Sequence, residues 1–470
     1  MKKSVLLIGV IAIGIALSAQ NWRTSDAAEP KVVAIQPVPL PDPKIEGFKF
    51  PEDEQTILMW IKASKQKEIN LHGWGIWAAL TSPVQGQDQR VFETWLTPDN
   101  IISARLIGVA DTGKLGRDLP TPTVPRQFHH GKLRAALQAI PDASVNQPLD
   151  VVQYDPIAAG HIKDKKLLQK ATLSGLLAAK QTDVPAFPAP SVTVKPTYVT
   201  AARSALIDDR YFRLEVWPGP PAVPGPFGPE KWKQWIWVDT KELGVGTGTG
   251  GVDKDGTPQS RKPDTTYGLG RFIFHKLSAT EAQADNAVRT AAFGEHTGVA
   301  VAGDFRLLVG MHVTSREITR WTWQTFWWTP AADTPPPPSS EAIAKDRPTE
   351  LKGAPRNYAM SIGYDMLTPA TPNTGGDSAG EPVYVYNPWL EARFDENVLS
   401  NSKPWMFNGK RYDNKFGIQT NCMSCHGQAH FGASAQEPDY TADRYIDLNG
   451  PAFNNLLRVD FLWSLPDKAK

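Results

Sequence analysis

The sequence predicts an α+β fold: a mostly antiparallel β-rich body followed by a C-terminal helical region. Three observations carry this expectation. From Ser191 to Trp328, segments of about four to eight residues rich in β-branched and aromatic side chains recur, among them VTVKPTYVTA, YFRLEVWPG, KWKQWIWVD and RFIFHKL. Proline- and glycine-rich stretches separate them, as the turns of an antiparallel sheet require. Apolar residues at helical spacing mark the two ends instead: Ile57, Trp60 and Ile61 near the start, and Phe453, Leu456, Leu457, Phe461 and Leu465 near the end.

At the N-terminus, Lys2 and Lys3 precede an apolar run from Val5 to Ala16, followed by the small residues Ser18 and Ala19. This is the outline of a secretory signal peptide over residues 1–28, with a second possible cut near Ala27 and Ala28. The run is short for a membrane span, which needs about 20 apolar residues, so export with cleavage is the expectation and a retained anchor the alternative. Residues 29–50, with VVAIQPVPLPDPK, read as an extended lead-in. The body is expected over 51–334, with helices at 52–67 and 167–179. Strands follow from 191, that at 192–201 lying at an edge or carrying a bulge because of Pro196. DFRLLVGMHVTSREI and RWTWQTFWW continue the β pattern. A proline-rich linker is expected at 335–350, then a last region over 351–470 with a final helix opened by Asn449-Gly450-Pro451 and ended by Pro466.

Composition narrows the function classes. The chain of 470 residues is long enough for one large domain or two smaller ones. With 50 Lys and Arg against 49 Asp and Glu, the net charge of +1 predicts no nucleic-acid or other polyanionic partner. Several motif-like stretches lead nowhere. The loop GVGTGTGGVDKDGT lacks the Gly-Lys-Ser/Thr of a phosphate cradle and leads towards a strand. Asp253 and Asp255 lack the glycine and glutamate placement of a calcium loop. The adjacent pair His129 and His130 reads as solvated, and no hydrolase motif is present. The tryptophans of 321–328 are expected as β-core filling, with a binding surface as the alternative.

Chemistry concentrates in Cys422-Met423-Ser424-Cys425-His426. Cys-x-x-Cys-His is the attachment pattern of a c-type haem: two thiols face one edge of a flat macrocycle and the next histidine meets the iron. These are the only 2 cysteines in the chain, so a zinc ribbon would lack its second pair, and no βαβ setting suggests a thioredoxin-like dithiol. The expectation is one covalent haem c on Cys422 and Cys425, with His426 as axial ligand. No methionine follows Met423, and His430 is too close to His426 to reach the opposite haem face. A ligand on that face must therefore come from upstream, with Met311, His312, Met360, Met366 and Met406 as candidates, or be absent.

With these residues in view, the chain resembles exported bacterial monohaem c-type cytochromes that carry a long β-rich N-terminal region and a C-terminal haem motif. The matching stretches are DPIAAGHI, VGMHVTSREITRWTWQTFWW, YNPWLEARF, NCMSCHGQA and VDFLWSLP. The resemblance implies a cytochrome c-like haem-binding region over 351–470 and electron transfer with a redox partner protein in the periplasm or elsewhere in the cell envelope. The alternative is a haem-dependent oxidoreductase, peroxidase-like or small-molecule-binding. It would have an open distal site under the body and His312 or His72 as acid/base. A third reading makes the body a binding module and the haem a structural or sensing element.

Overall fold

The computed structural model describes residues 32–34, 36–86, 89–103, 108–110, 120–124, 146–294, 298–369, 380–394, 405–407, 410–412, 416–432 and 443–470. The expected signal segment and the pair His129 and His130 lie outside the described residues.

The first helical expectation divides in two. Asp53 caps Glu54–Lys62 by accepting from the Thr56 amide. Ser64, at φ 51°, turns the chain into a longer helix, Gln66–Thr81. That helix contains LHGWGIWAAL and is buried almost all round, so no polar face betrays its period in the sequence. The second helical expectation shortens to Lys170–Ala178 and is joined by Pro156–Asp164, whose N-cap is Asp155. Ala279–Phe293, opened by the reciprocal Ser278–Glu281 capping box, adds a helix that the strand-rich reading of this region passed over.

The expected antiparallel body is present as a seven-stranded sheet. Its long members are β1 (Val192–Ala201), β2 (Phe305–Ser315), β3 (Thr322–Trp328) and β4 (Tyr358–Gly363), hydrogen-bonded in the order β4-β3-β2-β1. The short pairs Leu149–Asp150 and Gln153–Tyr154 line the far side of β1, and Phe274–Lys276 pairs with β2 beyond the reach of β3. The stretch 335–350 thus connects two strands that are neighbours in one sheet. A smaller sheet joins Tyr211–Glu215, Trp235–Asp239 and Thr266–Gly268.

Pro196 corrects the edge-strand expectation, since β1 pairs on both sides. The Pro196 carbonyl accepts from Val151, so its nitrogen faces the gap between the two short strands, where the ladder demands no donor. The bulge lies instead across the ladder, between Leu308 and Gly310. A Cβ at Gly310 would come within 2.9 Å of the Asn387 amide. The bare glycine lets Asn387 donate to Thr325 Oγ1 and to the Phe326 carbonyl, at 2.8 and 2.9 Å.

Both faces of the sheet are covered, so the central strands read as nearly continuous apolar runs. Met311, Phe326, Met360 and Ile362 point to one face, beneath Gln66–Thr81; Trp77 stacks on Phe326 with ring centroids 4.2 Å apart. Trp321, Trp327 and Trp328 are core filling, as expected. The opposite face takes the C-terminal residues through a second core that includes Trp321, Trp323, Met366, Met423, Leu457 and Phe461.

The final helix does not form as expected. Pro451–Phe453 is a 3-10 turn, Leu457–Arg458 pairs with His430–Phe431, and only Ser464–Lys468 is α-helical. Asn455, Asp460 and Phe461 have φ of 62°, 47° and 67°, which no helix accommodates. Pro466 lies in the first turn of the last short helix, where a missing amide costs nothing, so it opens a helix rather than closing one.

Trp77→Ala removes the ring stacked on Phe326 and the indole donor to the Pro355 carbonyl. A loss of about 3–5 kcal/mol is expected, read as a lower urea midpoint at unchanged denaturant dependence.

Candidate cofactor site

Cys422–His426 forms a single helical turn. Asn421 caps it, accepting from the Ser424 amide at 3.1 Å, while its side-chain nitrogen donates to the carbonyls of Val383 and Asp365 at 2.8 and 3.1 Å. Ser424 Oγ donates to the Arg444 carbonyl at 2.6 Å, and Met423 is buried in the second core. The two residues between the cysteines therefore point into the protein. Cys422, Cys425 and His426 line a cavity of about 460 Å³ between this turn and the second face of the sheet. Lys195, His312, Thr314 and Trp323 of that face form the opposite wall, and Leu462, Trp463 and Ser464 close one side.

His426 is oriented from two directions. Its Nδ1 meets the Phe461 carbonyl at 2.8 Å; that bond fixes the tautomer with the proton on Nδ1 and leaves a lone pair on Nε2. Its ring lies on Trp323, centroids 4.5 Å apart. Burial pushes its pKa down to about 4, keeping the imidazole neutral. The Phe461 carbonyl is aimed by the left-handed conformations of Asp460 and Phe461. The Asp460 carboxylate accepts from the Phe187 amide at 2.9 Å, Trp321 Nε1 at 3.1 Å and Arg316 Nε at 3.3 Å. These bonds sustain a backbone that strain would otherwise relax.

Burial raises the Cys422 pKa well above the ordinary thiol value, with Glu391 adding to the shift. Cys422 Sγ lies 3.3 Å from the Val385 carbonyl. A thiol held protonated is unlike the low-pKa thiolate of a redox dithiol, and neither cysteine is in a disulfide. Among the described residues no group of three or more His, Cys, Asp and Glu side chains could hold a bare metal ion.

Across the cavity, His312 Nε2 lies 3.0 Å from Glu391 Oε1, and Lys195 Nζ lies 2.7 Å from Asp150 Oδ2. Glu391 also accepts from the Asn387 amide at 2.6 Å, so the anchor at Gly310 also places the carboxylate. Of the upstream candidates, only His312 is among the residues lining the cavity. Met311 and Met360 are fully buried under Gln66–Thr81, on the other face of the sheet. Met366 lies behind the motif turn, its sulfur 3.2 Å from the Ile446 amide. The side chain of Met406 lies outside the described residues. His72 is buried on the far face, with Nδ1 on Tyr364 and Nε2 on Glu317, and His430 Nδ1 is bonded to the Gln428 carbonyl. Asp253, the faint calcium candidate, spends its carboxylate on Trp237 Nε1, Ser260 Oγ and two loop amides.

Sequence reading missed Glu391, Lys195, Asp150 and Asp460. Glu391 stands in the YNPWLEARF stretch, but its partner is 79 residues away and no local pattern couples the two. No family model, no curated protein and no solved structure matches this chain.

Because the folded-state pKa of His426 lies below its ordinary 6.5, the unfolded chain binds more protons between these values. The stability contributed by the neutral ring is present above about pH 6.5 and lost as pH falls towards about 4. For the chain with unmodified thiols, urea midpoints at pH 7 and pH 4.5 should show wild type losing about 2 kcal/mol relative to His426→Gln, allowing for water in the cavity. The comparison cancels groups such as Asp155, whose burial raises its pKa to about 6 and acts in the opposite sense.

Proposed function

We propose that this chain is a monohaem c-type cytochrome that transfers electrons in the bacterial cell envelope. The observation that carries the reading is the convergence of Cys422, Cys425 and His426 on one cavity, with His426 Nδ1 already occupied by a carbonyl. The volume, about 460 Å³, lies within the usual range of about 300–1,000 Å³ for cofactor sites. Cys422 and Cys425 would hold the haem through thioether bonds and His426 through Nε2. The haem supplies a one-electron iron couple.

The remaining parts of the site are the chain's own work. Phe461 orients the His426 imidazole, and an oxygen acceptor on Nδ1 would strengthen Nε2 as a donor to metal. Trp323, Val385, Phe394, Leu462 and Trp463 restrict water at the walls, which favours the less charged, reduced state of a buried redox centre. Among the described residues no helix is long and apolar enough to cross a membrane. The partner is proposed as another redox protein, met after export and removal of residues 1–28. The pair His312–Glu391 favours a second reading, a haem-dependent oxidoreductase in which this pair moves protons at an open distal face.

The test is expression in a host competent for export and c-type haem attachment, followed by denaturing gel haem staining and intact mass. The wild-type chain should carry one haem that survives denaturation, and Cys422→Ser/Cys425→Ser should carry none. A wild-type chain exported with both thiols unmodified would sink the proposal.

A further inference from the structure

Resting on the haem reading above, we infer that His312 is the second axial ligand, so the site is a bis-histidine centre closed to exogenous ligands. The argument begins with nitrogens. His312 and His426 line the same cavity from different walls. Each ring has one nitrogen engaged by an oxygen, Nε2 of His312 by Glu391 at 3.0 Å and Nδ1 of His426 by Phe461 at 2.8 Å. The other nitrogen of each ring has no hydrogen-bond partner among the described residues. An imidazole gripped by an oxygen on one side and open on the other is the usual state of a metal-ligating histidine. His72 is the contrast: both its nitrogens are bonded, and it is not among the cavity-lining residues.

The scaffold is suited to the task. His312 sits within β2, opposite Lys195 of β1 and Thr325 of β3. A side chain on a strand paired on both sides is positioned more firmly than one on a loop. Glu391 restricts the remaining freedom of the ring, and its own carboxylate is held by the Asn387 amide. The sulfurs of Met311, Met360 and Met366 are committed to packing or to the Ile446 amide. Among the described residues, Lys195 is a competing donor on the same wall, and its ammonium is 2.7 Å from Asp150.

The experiment uses the exported, haem-loaded protein and reads absorption and electron paramagnetic resonance spectra with and without carbon monoxide. Wild type should be low-spin in both oxidation states, lack the weak band near 695 nm that marks methionine on iron, and leave its reduced spectrum unshifted by carbon monoxide. His312→Ala should convert to high-spin and bind carbon monoxide, and added imidazole should restore the low-spin spectrum. Lys195→Met should remain low-spin. A wild-type protein that is high-spin and takes up carbon monoxide overturns the inference and leaves the oxidoreductase reading. So does a His312→Ala protein that keeps the wild-type spectrum, or a Lys195→Met protein that loses it. Should His312→Ala fail to accumulate, the wild-type spectrum and His312→Met decide, since Met should introduce the band near 695 nm. Wild-type protein without covalent haem overturns the preceding proposal itself, an outcome that haem staining distinguishes from all the others.

Discussion

The pairing of β1 with β2, along the full length of both strands, is the constraint on which the cavity depends. It fixes register, and register decides which side chains face which core. A slip of β2 by one residue would send His312 to the face under Gln66–Thr81 and turn Met311 towards the cavity. The bulge at Gly310 sits within this pairing and admits Asn387, and Asn387 in turn sets Glu391. A single glycine on a central strand is therefore connected to the orientation of a histidine two positions along the same strand.

The far face of the sheet uses its polar residues differently. Ser315, Thr322, Glu317, His72 and Tyr364 form one buried network, with Ser315 Oγ bonded to the Glu317 carboxylate and 2.6 Å from Thr322 Oγ1. Every member is paired, which is what a buried polar group requires in a medium of low dielectric. This network ties Gln66–Thr81 to the turn between β2 and β3, while His312 and His426 each leave a nitrogen towards a cavity. His161, His275 and His430 also engage one nitrogen, so His312 and His426 are set apart by an open nitrogen together with a place in the cavity lining.

What could be read in the chain was what is local. Cys422, Cys425 and His426 announce themselves because five consecutive residues carry the geometry, and the strands of the body announce themselves by composition. The helix Gln66–Thr81 stayed hidden because it is apolar on all sides. The last helix was wrongly expected because an apolar stripe resembles helical spacing until Asp460 and Phe461 adopt left-handed conformations. Those conformations depend on Phe187, Arg316 and Trp321, which contact Asp460 across separations of 139 to 273 residues. The pairs His312–Glu391 and Lys195–Asp150 are similarly matters of tertiary placement, beyond the reach of any motif.

The closing wall has a consequence in time. Leu462, Trp463 and Ser464 complete the cavity, and Tyr154, hydrogen-bonded to Ser464 at 2.6 Å, lies 310 residues earlier. Contacts of such separation form late, because loop closure must be paid before they stabilise anything. Until that wall docks, then, Cys422 and Cys425 stand open to reagents in solution. The docking of residues 443–470 ends that interval, making the order of events part of how this chain acquires its finished form.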